Sequence, residues 1–169
     1  MPEIIVIAHN IRSTHNVGAI FRTAEGFGVQ KIILSGYSPY PRLGLTANNT
    51  QSETRLPHIA EKLTTQIHKT ALGAEALVPF EYQATPDFLS LKKAGYRIVG
   101  LEQAPQSIMV PDYKTPEKVA LLLGEEVHGI PAELLDQCDD IIEIPMKGQK
   151  ESFNVSVAAG IALYSLALL

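Results

Sequence analysis

The hydrophobic period of this chain switches repeatedly. Short runs rich in Ile, Val and Leu alternate with segments of helical spacing, which restricts it to α/β architectures with a mostly parallel sheet and helices on both faces. Glu3–Ala8, Lys31–Ser35, Tyr96–Leu101, Lys118–Leu123 and Ile141–Met146 are predicted strands. A helix is predicted over Asn16–Phe27, where Val17, Ile20, Phe21 and Ala24 share a face and Gly28 stops the pattern. Thr85 is the expected N-cap of another helix, with Pro86 in its first turn and Gly95 closing it. Pro131 starts a short helix to about Cys138, and the chain ends in a helix from about Asn154 to Leu169. Between strands, residues 36–57 are rich in Gly, Pro, Thr and Asn. A loop this long in a compact domain is usually functional.

The last helix is apolar nearly all round, so it needs cover on more than the sheet side. A second copy of the chain is the economical cover, and burial within the monomer is the alternative. The same stretch, Val155–Leu169, falls short of the roughly 20 residues a membrane span needs. No secretory signal precedes Ile4–Ala8. The one cysteine, Cys138, excludes an internal disulfide and a cysteine-based metal cluster. These features predict a single domain over 1–169, without a separate extension, in the cytoplasm. Net charge is −4, which argues against nucleic-acid binding by bulk electrostatics. Residues 1–75 hold 7 basic and 5 acidic side chains and residues 76–169 hold 7 and 13, so an anionic partner should meet the N-terminal half or a basic patch assembled from scattered residues.

Three segments could carry chemistry. Asn10–Ala24 joins the first strand's carboxyl end to the first helix, the usual ligand edge of an open α/β sheet, and contains Asn16 and Arg22. An isolated pair of this kind reads equally well as a cap and a surface residue. Leu121–Pro131 runs from a buried strand into Gly124, where a ligand can approach the backbone, and then into Glu125 and Glu126. Ile144–Gly160 is a glycine-containing loop followed by Ser152-Phe153-Asn154 at a helix start, where Ser152 and Asn154 could bind a ligand or merely cap the helix.

In this order, the three segments resemble the motifs of the SPOUT superfamily of RNA methyltransferases, in particular its SpoU (TrmH-type) branch: Asn16…Arg22, then Leu123-Gly124-x-Glu126-x-x-Gly129, then Ile144-Pro145-Met146 followed by Ser152-Phe153-Asn154-Val155-Ser156. Residues 38–113 match only in general layout. The resemblance implies a C-terminal trefoil knot, which no periodicity argument yields because true knots are nearly absent from proteins. It further implies a homodimer with its active sites at the interface, in agreement with the apolar last helix. It implies S-adenosylmethionine as methyl donor, S-adenosylhomocysteine as product, and a ribose 2′-hydroxyl of a structured RNA as acceptor. On size alone, tRNA is favoured over rRNA. Cofactor contacts fall on Leu101, Glu102, Gly124, Ile144, Met146 and Phe153; Phe153 is a departure from the usual Leu, which a backbone contact would survive. The catalytic set falls on Asn16, Arg22, Glu126, Ser152 and Asn154.

Arg22 is the expected centre. A guanidinium cannot serve as a base near neutral pH, so its expected work is to hold the adjacent phosphate and stabilise developing alkoxide charge. Arg12, Arg42 and Arg55 are expected RNA contacts, the last two from a loop closing over RNA. The histidines show no metal-ligand spacing, and no metal is expected. Asp136, Asp139 and Asp140 read as a solvated acidic edge. A Rossmann-type nucleotide enzyme is disfavoured, since no G-x-G-x-x-G follows the first strand and Gly26-Phe27-Gly28 ends a helix. The rival to catalysis is an RNA-binding dimer that keeps the fold without the activity.

Overall fold

The computed structural model describes residues 1–169. In chain order it contains β1 (Glu3–His9), α1 (Thr14–Gly26), β2 (Lys31–Ser35), α2 (Pro57–Ala71), β3 (Phe80–Gln83), α3 (Phe88–Lys93), β4 (Arg97–Leu101), β5 (Ile108–Met109), β6 (Lys118–Leu123), α4 (Ala132–Leu135), β7 (Asp140–Glu143) and α5 (Val155–Leu168). The strands form one seven-stranded sheet in the order β3-β2-β1-β6-β4-β7-β5. Every pairing is parallel, with Val6 opposite Ile32 on one side and Leu121 on the other.

A parallel sheet is covered on both faces, which is why β1 and β6 read as continuous apolar runs. Alternate residues serve different cores. Val6, Ile32, Val99 and Leu121 pack under α1, α2 and α5, while Ile5, Ile33, Ile98 and Leu122 pack under α3 and α4. The first core is the larger, so truncating one of its fully buried side chains, such as Leu121→Ala, should cost about 2–5 kcal/mol.

Local chemistry sets the ends of α1 and its packing. The Ser13 hydroxyl caps α1 by accepting from the Asn16 backbone N–H at 3.2 Å. Gly18 lets α2 approach: a Cβ there would lie 2.1 Å from Thr70 Oγ1 and 2.3 Å from the Ile67 carbonyl. Asn154 caps α5 through its side-chain oxygen. Helix α5 buries Ala159, Ala162, Leu163 and Leu166 and leaves Val157, Ile161, Tyr164 and Leu168 exposed as an apolar stripe. Within one chain, therefore, the last helix is covered on one side only. No helix is long and apolar enough to cross a membrane.

Several expectations are corrected. Helix α2 and strands β3 and β5 are additional to the expected elements; α2 spaces its buried Ala60, Ile67 and Ala71 along one helical face. The cap of α3 is Asp87, which accepts from the Ser90 N–H, and not Thr85. Strand β7 stops at Glu143, because Ile144–Met146 leaves the ladder to line a cleft. Asp140 is no loose surface charge: it pairs with Arg97 through two bonds of 2.9 Å and accepts from the Tyr113 hydroxyl at 2.8 Å. Asp139 accepts from the Ile98 N–H.

Candidate active site

Three connections converge at the carboxyl edge of the sheet: those following β4, β6 and β7. They enclose a cleft of about 620 Å³. Leu101, Glu102, Gly124, Ile144, Met146 and Phe153 all line it, as do Glu126, Ser152 and Asn154. The second and third motifs, far apart in the chain, thus meet around the end of β4 because β4 lies between β6 and β7 in the sheet.

The segment after β6 is folded tightly on itself. The Glu125 N–H donates to the Gly129 carbonyl at 3.1 Å, and the Gly129 N–H donates back to Glu125 at 2.8 Å. Gly124 must be glycine for this: a Cβ would lie 2.4 Å from the Ile130 nitrogen and 2.5 Å from the Gly129 carbonyl carbon. Gly129 has φ +70° and admits the Glu102 carboxylate, which accepts from the Ile130 N–H at 3.0 Å and from the Gln103 N–H at 2.9 Å. Glu102 therefore ties the end of β4 to the loop after β6.

A second set of bonds joins the motifs. The Asn16 side-chain amide donates to Glu126 Oε1 at 3.2 Å, and the Asn154 amide donates to Asn16 Oδ1 at 3.3 Å. Asn154 Oδ1 in turn accepts from the Ser156 N–H at 2.9 Å. Asn16 is accordingly the middle link between the β6 loop and the start of α5, in addition to lying in the first turn of α1. Ser152 lies exposed at the cleft without a hydrogen-bond partner.

The cleft is acidic. Glu102, Glu125, Glu126, Glu143 and Glu151 contribute to its wall, beside the apolar Leu101, Ile144, Phe153 and Val155. Glu125, which the motif reading passed over, is 6% exposed. One of its oxygens accepts from the His128 N–H at 2.7 Å. The other is buried without a hydrogen-bond partner, 3.5 Å from Arg12 Nε. Burial pushes its carboxyl up, but the His128 and Val127 N–H groups, with His128 and Arg12 nearby, outweigh that and hold it below its ordinary value. The sequence signal for Glu125 was only its adjacency to Glu126.

Arg22 is not brought to this cleft. It is exposed on α1 and makes no ion pair or side-chain hydrogen bond within the chain. The other expected cations divide. Arg12 is two-thirds exposed, with its backbone N–H on Glu126 Oε2 at 3.3 Å. Arg42 is partly exposed and 3.6 Å from Glu61. Arg55 is turned inward: it binds both oxygens of Glu53 at 2.8 Å, donates to the Tyr40 and Pro41 carbonyls, and lies 3.6 Å from the centre of the Tyr40 ring. It is spent on the loop between β2 and α2 and has little left for phosphate.

Comparison with known proteins accords with these motifs. The model of the SpoU rRNA methylase family matches residues 46–164. A tRNA (guanosine(18)-2′-O)-methyltransferase from Mus musculus is 32% identical over 163 residues, 96% of this chain and 9% of that protein. The 23S rRNA (guanosine-2′-O-)-methyltransferase RlmB of Coxiella burnetii is 30% identical over 169 residues, 98% of this chain and 58% of that one. The chain thus spans only part of these relatives. Among solved structures, the AdoMet-bound rRNA methyltransferase from Sinorhizobium meliloti superposes with a TM-score of 0.76 at 26% identity, covering 97% of this chain and 55% of that one. The TrmH/SpoU tRNA modifying enzyme of A. aeolicus gives 0.76 at 25%, covering 99% and 75%. By motif, fold and family model together, the chain belongs to the SpoU rRNA methylase family.

Proposed function

We propose that this protein transfers a methyl group from S-adenosylmethionine to a ribose 2′-hydroxyl of a structured RNA, with tRNA favoured over rRNA, as a cytoplasmic homodimer joined through α5. The observation that carries the reading is the 620 Å³ cleft in which two of the three sequence motifs share a wall with the end of β4, the first motif being tied to it through Asn16. Its chemistry suits the cofactor. S-adenosylmethionine bears a sulfonium and an ammonium, and the wall carries five carboxylates, one with a buried oxygen lacking a hydrogen bond. The apolar side chains Leu101, Ile144 and Phe153 suit an adenine ring. Leu101, Glu102, Gly124, Ile144, Met146 and Phe153 would hold it. When bound, the cofactor supplies a methyl carbon open to displacement, with a neutral thioether as leaving group.

The protein's work is on the nucleophile. Alignment of the hydroxyl oxygen with that carbon supplies much of the gain. Asn16, fixed between Glu126 and Asn154, holds the cleft mouth in one arrangement, and Ser152 and Asn154 position the ribose. On transfer to the hydroxyl oxygen, the hydroxyl proton would pass to the adjacent RNA phosphate or to water. Arg22 holds that phosphate and stabilises the developing alkoxide. Because Arg22 does not line its own cleft and has no partner within the chain, it reaches the reacting atoms from the second subunit. The exposed stripe Val157, Ile161, Tyr164 and Leu168 is the surface that brings the two copies together. The C-terminal knot belongs to this proposal, as a consequence of family membership. A non-catalytic RNA-binding dimer would not need the Glu126–Asn16–Asn154 chain of bonds kept whole.

Calorimetric titration with S-adenosylhomocysteine tests the reading. One molecule bound per subunit is expected, together with radiolabelled methyl transfer to bulk tRNA that Arg22→Lys reduces by at least tenfold without weakening cofactor binding. A folded dimer that binds no S-adenosylhomocysteine would overturn the enzyme reading. Near-full activity in Arg22→Lys would overturn the role given to its two-pronged guanidinium.

A further inference from the structure

A second cleft, of about 560 Å³, opens beside the first on the same edge of the sheet. Arg12, His15, Tyr37, Tyr40 and Gln66 are among its lining residues. It adjoins the cofactor cleft through Arg12, whose guanidinium lies against Glu125 and whose backbone N–H is on Glu126. Tyr37 is 53% exposed, a large aromatic surface left in water at the mouth of a cleft, and the Arg12 guanidinium lies 5.8 Å from its ring centre.

The cleft is held rigid by its surroundings. The Tyr37 N–H donates to Asn10 Oδ1 at 3.0 Å, and Asn10 is held at φ 56°, one of only two non-glycine residues with positive φ. Gly36 must be glycine: at φ +63°, with Asn10 Oδ1 1.9 Å from where its Cβ would lie, no side chain fits. The Ser38 hydroxyl accepts from the Ile11 N–H at 2.7 Å and donates to the Ala8 carbonyl at 2.8 Å, locking the two connections together. Two further lining residues, Arg55 and Tyr40, are stacked on each other, and Tyr40 stacks in turn on Tyr82 behind it with the two rings 4.3 Å apart.

We infer that this second cleft receives an unstacked nucleotide of the RNA substrate, its base on the Tyr37 ring and its phosphate on Arg12. The inference rests on the RNA-methyltransferase reading for the class of partner. An exposed ring beside a cation fits a base and its phosphate, because every base offers a π face and every nucleotide one negative charge. Gln66 and His15 supply polar groups at the wall for base edges. The placement also resolves the conflict between an acidic protein and an anionic substrate. Charge does not gather the RNA. One oriented cation and one ring hold it next to the cleft where its ribose reacts. Glu125 is then a positioning residue for Arg12.

The test is fluorescence anisotropy of a 5′-labelled single-stranded oligoadenylate, with S-adenosylhomocysteine calorimetry on the same proteins. Tyr37→Leu should weaken oligonucleotide binding roughly five- to a hundredfold. Tyr37→Phe should retain it, and Arg12→Gln should lower the slope of log affinity against log salt by about 0.7, the share of one phosphate. Cofactor binding by the Tyr37 variants should match wild type. Wild-type affinity in Tyr37→Leu, no oligonucleotide binding by the wild type, or equal loss of both ligands would each overturn the inference; the last would mean that Tyr37 only supports the shared wall. Absence of S-adenosylhomocysteine binding alongside Tyr37-dependent oligonucleotide binding would overturn the methyltransferase reading and leave this one standing.

Discussion

Replacing Gly124 by alanine adds one methyl group where the surrounding atoms are all main chain. Its Cβ would lie 2.4 Å from the Ile130 nitrogen, 2.5 Å from the Gly129 carbonyl carbon and 2.8 Å from the Gly129 oxygen. Reaching ordinary contact near 3.5 Å requires the segment to retreat by about 1 Å. No side chain can swing away, so the displacement falls on the two hydrogen bonds between Glu125 and Gly129. Overpacking of this kind costs about 1–3 kcal/mol. Losing two hydrogen bonds adds about 1 kcal/mol each, for a sum of about 3–5 kcal/mol. For a chain of this size that lowers the thermal unfolding midpoint by roughly 6–20 °C. Differential scanning calorimetry measures it, and the same sample titrated with S-adenosylhomocysteine should show weakened binding, since the loop is one wall of the cleft. Gly148→Ala is the control, because nothing lies within 4 Å of its added Cβ. A Gly124→Ala protein melting within about 2 °C of wild type with unchanged affinity would refute the claim that this close approach shapes the site.

Two further outcomes follow from the ionisable groups. The Glu53 carboxyl is held at about 2, chiefly by the Arg55 guanidinium, against an ordinary 4.5. With its folded value depressed, its contribution is fully present above pH 4.5 and is lost as pH falls toward 2. Glu53→Gln should therefore be about 2–3 kcal/mol less stable near neutrality and converge with wild type in acid, by urea unfolding at several pH values; a gap that stays constant with pH would refute this. Burial pushes the Cys138 thiol up to about 11 from 9.0, so its thiolate fraction at pH 8 is about a hundredfold below that of a free cysteine. A more basic thiolate is also the better nucleophile, so its reaction with a disulfide reagent should be slower by about tenfold or more, and a rate equal to that of free cysteine would contradict the burial.

By itself, the sequence determined the class of fold and most of the cleft wall. Parallel strands buried on both faces must be written as apolar runs, so β1, β2, β4 and β6 announce themselves, and a capping Asn154 marks the start of α5. The glycines of the 124–129 segment are legible because a return this tight, with main chain against Gly124 and the Glu102 carboxylate against Gly129, admits few residue types. Tertiary structure alone decided the rest. Helix α2 buries only the narrow strip Ala60, Ile67 and Ala71, and its docking against α1 depends on Gly18 admitting Thr70 and Ile67. Arg55 and Arg22 are the same residue type in the same half of the chain, yet one is folded onto Glu53 and Tyr40 and the other stands free on α1. Which of them can serve an anion depends on partners tens of residues away or on another molecule. The same holds for Tyr37, whose exposure beside Arg12 arises only when Asn10 and Gly36 bring two connections together. Periodicity records which face of an element is buried; it carries no information about which side chains from different elements come to share a cleft.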